Sequence, residues 1–200
     1  MDHYPGFRRL VYGLMLSLFL FASSSCSGSL FKVKPAVELP VLPASALTAE
    51  AGGVRTSVAP LLSDEESQDL FEANLPLGGV LPLRVEVSYR TEGVPLDLKH
   101  ARLRLRDGQG HEWKLLSTKK AIARILKANG VSLYNPHSRK QFEQDLSAYA
   151  IDLQTPLAAA ERRRQGFLFF QTPDKSPVHS PSGLVLSISG LPQPLEIRIN

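Results

Sequence analysis

Apolar and polar residues alternate with a period of two over most of this chain, and the period lengthens in one central block. In GVLPLRVEVSYRT, residues 79–91, Leu83, Val85, Val87 and Tyr89 alternate with Arg84, Glu86, Ser88 and Arg90. A strand with one dry and one wet face has this pattern. It recurs in LKHARLRLRD, where Ala101, Leu103 and Leu105 alternate with Arg102, Arg104 and Arg106. Asp107-Gly108 supplies the turn of a hairpin, and HEWKLL returns beside it with Trp113 inward, on the same face as Leu115. VRTSVAP, GFLFFQ, GLVLSIS and PLEIRI bring the expected strands to about seven.

The helical period appears three times. Ser63-Asp64-Glu65-Glu66 has the spacing of a capping box, with its acids near the positive end of the helix dipole, and opens a short helix to about Asn74. Helix-start chemistry accounts for those carboxylates without a metal. STKKAIARILKANG places Ala121, Ile122, Ile125 and Leu126 on one stripe, with Ser117 or Thr118 as N-cap and Gly130 at the C-terminus. SRKQFEQDLSAYAIDL forms a second stripe from Phe142, Leu146, Tyr149 and Leu153. Residues 117–154 are therefore expected to be a helical pair inserted between strands, with Ile122, Ile125, Phe142 and Leu146 buried against one open end. Leu133, Tyr134, Asn135, Pro136 and His137 connect the two helices. As an aromatic and polar tip, Tyr134, Asn135, Pro136 and His137 are candidate partner contacts.

Antiparallel alternation on both sides of an inserted helical pair predicts a mainly β domain over residues 51–200, most economically a two-sheet sandwich. TPLAAAERRRQGFLFF, a polar turn followed by Gly and an apolar strand, resembles a stretch found in exported immunoglobulin-like domains. The resemblance implies an immunoglobulin-like β-sandwich.

The N-terminal segment has a different character. Residues 1–9 are polar and end in Arg8-Arg9, and Leu10–Ala22 is an apolar run. Its length suits a secretory h-region of roughly 7–15 residues rather than a membrane span of roughly 20. Residues 1–25 read as a signal peptide. Ser23-Ser24-Ser25-Cys26 resembles the lipobox of bacterial lipoproteins, with Ser23 where Leu is usual. The resemblance implies cleavage before Cys26, acylation there, and attachment to the envelope. Ser27, rather than Asp, after the Cys implies the outer membrane, facing the periplasm. Stable anchoring takes more than one acyl chain. The alternative is an ordinary signal peptide cut after Ser24, which leaves Cys26 as a free thiol. As the sole cysteine, Cys26 has no partner for a disulfide within the chain. Residues 26–50 hold three prolines and little charge and read as a tether, unless LFKVKPAVEL adds an edge strand.

Composition changes this picture little. The net charge of +4 for the whole chain falls to +3 once Arg8, Arg9 and Asp2 are removed, which is too mild to call for nucleic acid. The basic clusters Lys119-Lys120, Arg139-Lys140 and Arg162–Arg164 read as solvated faces and turns. Gly-x-Ser-x-Gly, phosphate-cradling glycine loops, His-Glu-x-x-His and paired-Cys spacings do not occur. His100, His111, His137 and His179 are scattered, although His100 and His111 would approach one another if their strands formed one hairpin. Glu92 and Asp97 flank a turn, and Glu143 and Asp145 diverge on a helix. No cofactor is implied. The expectation is a lipid-anchored, non-enzymatic module that binds an envelope protein or supports an assembly. The rival is a small-ligand binder or hydrolase with a pocket between the helical insertion and the sheet.

Overall fold

A computed structural model describes residues 39, 41–91, 93–130 and 136–199, with no side-chain description for 136 and 137. Eight strands are present among them: β1 (Leu47–Ala51), β2 (Val54–Pro60), β3 (Val80–Tyr89), β4 (Arg102–Arg106), β5 (Glu112–Leu116), β6 (Arg163–Gln171), β7 (Val185–Ser189) and β8 (Leu195–Arg198). The three helices are α1 (Asp64–Phe71), α2 (Thr118–Ala128) and α3 (Pro136–Tyr149). No described helix is long and apolar enough to cross a membrane.

The strands join in one antiparallel sheet, ordered β1-β2-β3-β6-β5-β4-β7-β8. β1 and β8 lie side by side, so the sheet is nearly closed and barrel-like. The sandwich expectation divided the strands between two sheets. Here β5 pairs with β6 on one edge and with β4 on the other, which makes the two expected sheets one. The eighth strand, β1, overlaps the end of the segment 26–50 expected as a tether and runs on to Ala51. It pairs along its whole length with β2 through the turn at Gly52 and Gly53, both at positive φ.

Two apolar cores result. The barrel interior holds Val54, Leu83, Val85, Leu105, Trp113, Phe170, Leu186 and Ile197 among others. The second core lies on the outer face of β3 and β6, beneath the helices, and contains Val80, Phe167 and Phe169 with Phe71, Ile122, Ile125, Phe142, Leu146 and Tyr149. The continuous apolar run of β6 follows from this: Leu168 and Phe170 face the barrel, while Phe167 and Phe169 face the helices. The helical pair buries the residues expected of it, but against this outer face rather than an open end. Because the helices cover β3, its expected wet face is partly dry. Arg84 is only 4% exposed, and its guanidinium donates to Gln165 Oε1 at 3.2 Å.

Helix boundaries follow their caps. Ser63 Oγ accepts from Glu66 N at 3.1 Å and starts α1. Ser117 is the N-cap residue of α2, and Gly130 follows that helix at φ 65°. α3 ends at Tyr149 because the next residues join the sheet. Ala150 bridges Phe167 in parallel, and Ile151 N donates to Phe167 O at 3.1 Å. A Cβ on Gly166 would lie 2.5 Å from Ile151 N and Cα, so only glycine allows this approach. Leu153, expected on the α3 stripe, packs instead against the barrel core.

The wall between β4 and β5 opens below Trp113. β4 pairs with β5 only at Leu105 and Arg106, and its remaining residues pair with β7 alone. Leu115, expected beside Trp113 in the core, is 38% exposed at this opening. Leu96 and Leu157 form an antiparallel bridge, and both belong with Ile151 to the interior core. Arg164 fixes the segment that carries Leu157. It donates to the backbone carbonyls of Asp152, Thr155 and Pro156 and to both carboxylate oxygens of Glu161, at 3.0 and 2.7 Å. With its side chain 10% exposed, Arg164 is a structural clamp and not part of a solvated basic cluster.

Candidate functional site

At one end of the barrel the turn between β4 and β5 meets the long connection between β6 and β7. Their backbones touch: Gly108 N donates to Ser182 O at 3.0 Å, and a Cβ on Gly183 would lie 2.7 Å from Gly108 Cα. Beside this junction is a cleft of about 680 Å³, lined by Asp107, His111, Trp113, Thr172, Asp174 and His179 together with proline and serine residues of the loop. Its volume lies in the range of small-molecule sites.

Asp107 organises the first rim. Its Oδ1 accepts from Gln109 N at 3.0 Å and His111 N at 2.9 Å, and its Oδ2 lies 3.3 Å from both Trp113 Nε1 and His111 Nδ1. Burial acts to raise this carboxyl's pKa. Hydrogen bonds from the His111 backbone, Trp113, Gln109 and the His111 ring outweigh it and hold the pKa below the ordinary value. Trp113 is thus a core plug, as expected, with its polar edge anchored at the cleft. On the second rim, Asp174 Oδ1 accepts from Ser176 Oγ at 2.7 Å and Ser176 N at 3.0 Å, which lowers its pKa too. Thr172 Oγ1 donates to Ser176 O at 2.7 Å.

These carboxylates serve first as turn builders. The Asp107–His111 pair can fix the tautomer of an imidazole at the rim, but no described contact adds a nucleophile to it. Among the described residues no group of three or more His, Cys, Asp or Glu is placed to hold a metal ion. The cleft offers the rings of His111 and His179 and the loop hydroxyls as hydrogen-bonding groups, over a wall stiffened by Pro173, Pro177 and Pro181.

The suggested approach of His100 and His111 does not occur. They lie beyond opposite ends of β4, and His100 Nε2 instead faces Asp97 Oδ2 at 3.7 Å. Asp97 also accepts from Lys99 N at 2.8 Å, as a turn residue does. Glu143 pairs with Arg139 Nε at 3.1 Å, and Asp145 accepts from Gln141 at 2.8 Å, so both act on the helix surface. Cys26, Tyr134, Asn135 and Glu92 lie outside the described residues. Pro136 and His137 open α3. The pocket expected between helices and sheet is occupied by aromatic rings: Phe71 lies 5.5 Å from Phe167 and 5.6 Å from Tyr149, centroid to centroid. The cleft leaves little trace in the sequence because its rims come from turns about 70 residues apart. The one local signal was Asp107 four residues before His111.

A second feature lies on the barrel wall. Arg102, Arg104 and Arg106 project outward from β4 and are exposed. Across β7 they are joined by Arg198 of β8; Glu112 of β5 lies opposite Arg106, Glu196 of β8 lies opposite Ser187, and Lys114 is exposed two residues further along β5. No helix covers this face. No family model, curated protein sequence or solved structure matches the chain.

Proposed function

We propose that this chain is a bacterial envelope lipoprotein, held through an acylated Cys26 at the outer membrane and facing the periplasm. Its β domain is a non-enzymatic module that binds an envelope protein or supports an assembly there. The observation that carries the binding role is that both interior spaces are filled by side chains. The barrel is packed from Val54 to Ile197, and the helix–sheet interface is packed by aromatic rings. A small barrel filled in this way works through its outer surface and loops. The connector at Tyr134, Asn135, Pro136 and His137 is the proposed partner contact. Anchoring rests on the lipobox resemblance at Ser23–Cys26.

A second reading, a small-ligand binder or hydrolase, is favoured by the end cleft with its Asp107–His111 pair and His179. The two readings separate in one preparation made in a bacterial host. Intact mass and membrane partitioning are compared for the native chain and Cys26→Ser. A photoreactive residue is then introduced in turn at Tyr134 and at His179. An acylated native chain, a Cys26→Ser chain that is soluble or unprocessed, and protein adducts from position 134 support the proposal. Release of a native chain with a free thiol ends the anchor reading. Adducts confined to a small molecule at position 179 replace the binding module with the second reading.

A further inference from the structure

We infer that the uncovered wall formed by β4, β7 and β8 docks the domain on a membrane surface bearing anionic lipid headgroups. The inference rests on the reading of Cys26 as a lipid anchor.

The argument starts from the strand pairing. Arg102, Arg104 and Arg106 alternate along β4 and all face solvent. Their cross-strand neighbours on β7 are Ser189, Ser187 and Val185, which carry no charge. One strand further, Arg198 lies opposite Val185, in the row of Arg106, and Glu196 lies opposite Ser187. No ion pair among the described residues engages Arg102, Arg104, Arg106 or Arg198. Arg139, Arg163 and Arg164 each have an acidic partner within 4 Å. Including Lys114 and Glu112 on β5, the face has five basic and two acidic groups. Its excess of three equals the net charge of the chain after residue 26. The other charged residues after residue 26 sum to zero, with Lys119, Lys120, Arg124 and Lys127 of α2 as a second basic group.

Shape favours a planar partner. At about 3.4 Å per residue and about 4.8 Å between strands, the face covers about 14 Å in each direction. The outward side chains of β7 between the arginines are small, so the array lies on a broad wall rather than in a groove. Guanidinium forks bind phosphate in two-point fashion and retain their charge at any physiological pH. A second argument concerns the tether. β1, where the chain enters the sheet, is the immediate neighbour of β8. From Cys26 to Leu47 is 21 residues, or at most about 70 Å at about 3.3 Å each, so the face can reach the surface that holds the anchor. Each basic charge at an anionic surface strengthens binding about fivefold, so an excess of three gives on the order of 100-fold. Such a preference is weak for a free domain. It is sufficient to orient a tethered one, whose effective concentration at the surface is on the order of millimolar.

The test uses the full chain as isolated from a bacterial host. Its co-sedimentation is measured with vesicles of phosphatidylcholine alone and of phosphatidylcholine mixed with phosphatidylglycerol, at low and high salt. Two triple variants are compared: Arg102→Gln/Arg104→Gln/Arg106→Gln on the face, and Lys119→Gln/Lys120→Gln/Lys127→Gln on the exposed side of α2. Both remove the same charge, and unchanged unfolding midpoints show that both fold. The expected result is an increment on anionic over neutral vesicles of on the order of 100-fold for the native chain. High salt and the face variant abolish most of it, and the helix variant keeps it. No increment in the native chain, or equal loss in both variants, overturns the inference. So does binding of the native chain to immobilised polyglutamate without binding to anionic vesicles, which would make the partner an acidic protein. Binding to neutral vesicles reports the anchor alone, so failure of the anchor is distinct from failure of the face.

Discussion

On the β3–β6 wall the outward residues include Val80, Phe167 and Phe169; on the β4–β7–β8 wall they include Arg102, Arg104, Ser187 and Arg198. The inward residues of both walls are alike: Leu83, Val85 and Leu168 on one, Leu105, Leu186 and Ile197 on the other. One barrel therefore carries two kinds of strand. The first is buried on both faces and recruits α1, α2 and α3. The second is half-buried and leaves a charged face open. Since the inner pattern is shared, it is the outer residues that decide where the helical insertion packs and which wall is left for recognition. The two walls are separated by β5 on one side and by β1 and β2 on the other. Docking by the arginine wall, as inferred above, leaves the helix-covered wall off the docked surface.

The largest effect should separate the walls at once. Phe167→Ala removes a ring that touches Phe71, Tyr149 and Phe169 in a site 1% exposed, and should cost about 3–5 kcal/mol of stability. Arg104→Ala, on the exposed outer face of β4, should stay within about 0.5 kcal/mol. Urea unfolding of both variants checks the pair. Similar losses from both would mean that the second wall also supports a packed partner element, and the contrast would fail.

Much of this was legible in the sequence, and the parts that were not have a common physical cause. Period-two alternation found β3, β4 and the Trp113 hairpin, and the helical stripes found Ile122, Ile125, Phe142 and Leu146, because burial on one side leaves a periodic trace. β1 left almost none: Leu-Thr-Ala-Glu-Ala is an edge strand, mostly exposed or half-buried. Arg84 read as wet because alternation reports the near face of a strand, not what later covers the far one. Whether β5 pairs on one edge or both is a matter of hydrogen bonding, which periodicity does not encode, so one sheet read as two. The cleft was hidden for the same reason. Asp107 and His179 line one cleft because their turns, distant in sequence, touch through the backbone at Gly108 and Ser182.

A smaller effect sharpens the comparison at the seam of the covered wall. Gly166 lets Ile151 lie against β6, where β5 has ended. Gly166→Ala places a methyl 2.5 Å from backbone atoms, which cannot rotate away as a side chain can. A loss of about 1–3 kcal/mol is expected, with faster amide exchange at Ile151, whose N–H bonds Phe167 O. Unchanged exchange there would show that the seam is not what joins the helices to the barrel.

A more modest loss than at Phe167 or Gly166, with a pH signature, is expected at the turn that ends the open wall. Asp107 closes the β4–β5 turn and accepts from Trp113 Nε1. In Asp107→Asn the amide oxygen can still take the backbone N–H groups of Gln109 and His111, but the amide nitrogen then meets the Trp113 N–H donor to donor. The expected cost is about 1–2 kcal/mol near neutral pH. The sign with pH follows from the carboxyl's pKa, which is lowered in the folded chain. The native advantage is full above the unfolded carboxylate pKa of about 3.9 and is lost as pH falls through the lower folded value. Unfolding midpoints of the two chains should therefore converge in acid. A gap that persists unchanged would mean that Asp107 acts through shape, and that the open wall is fixed by the contact of Gly108 with Ser182 rather than by charge.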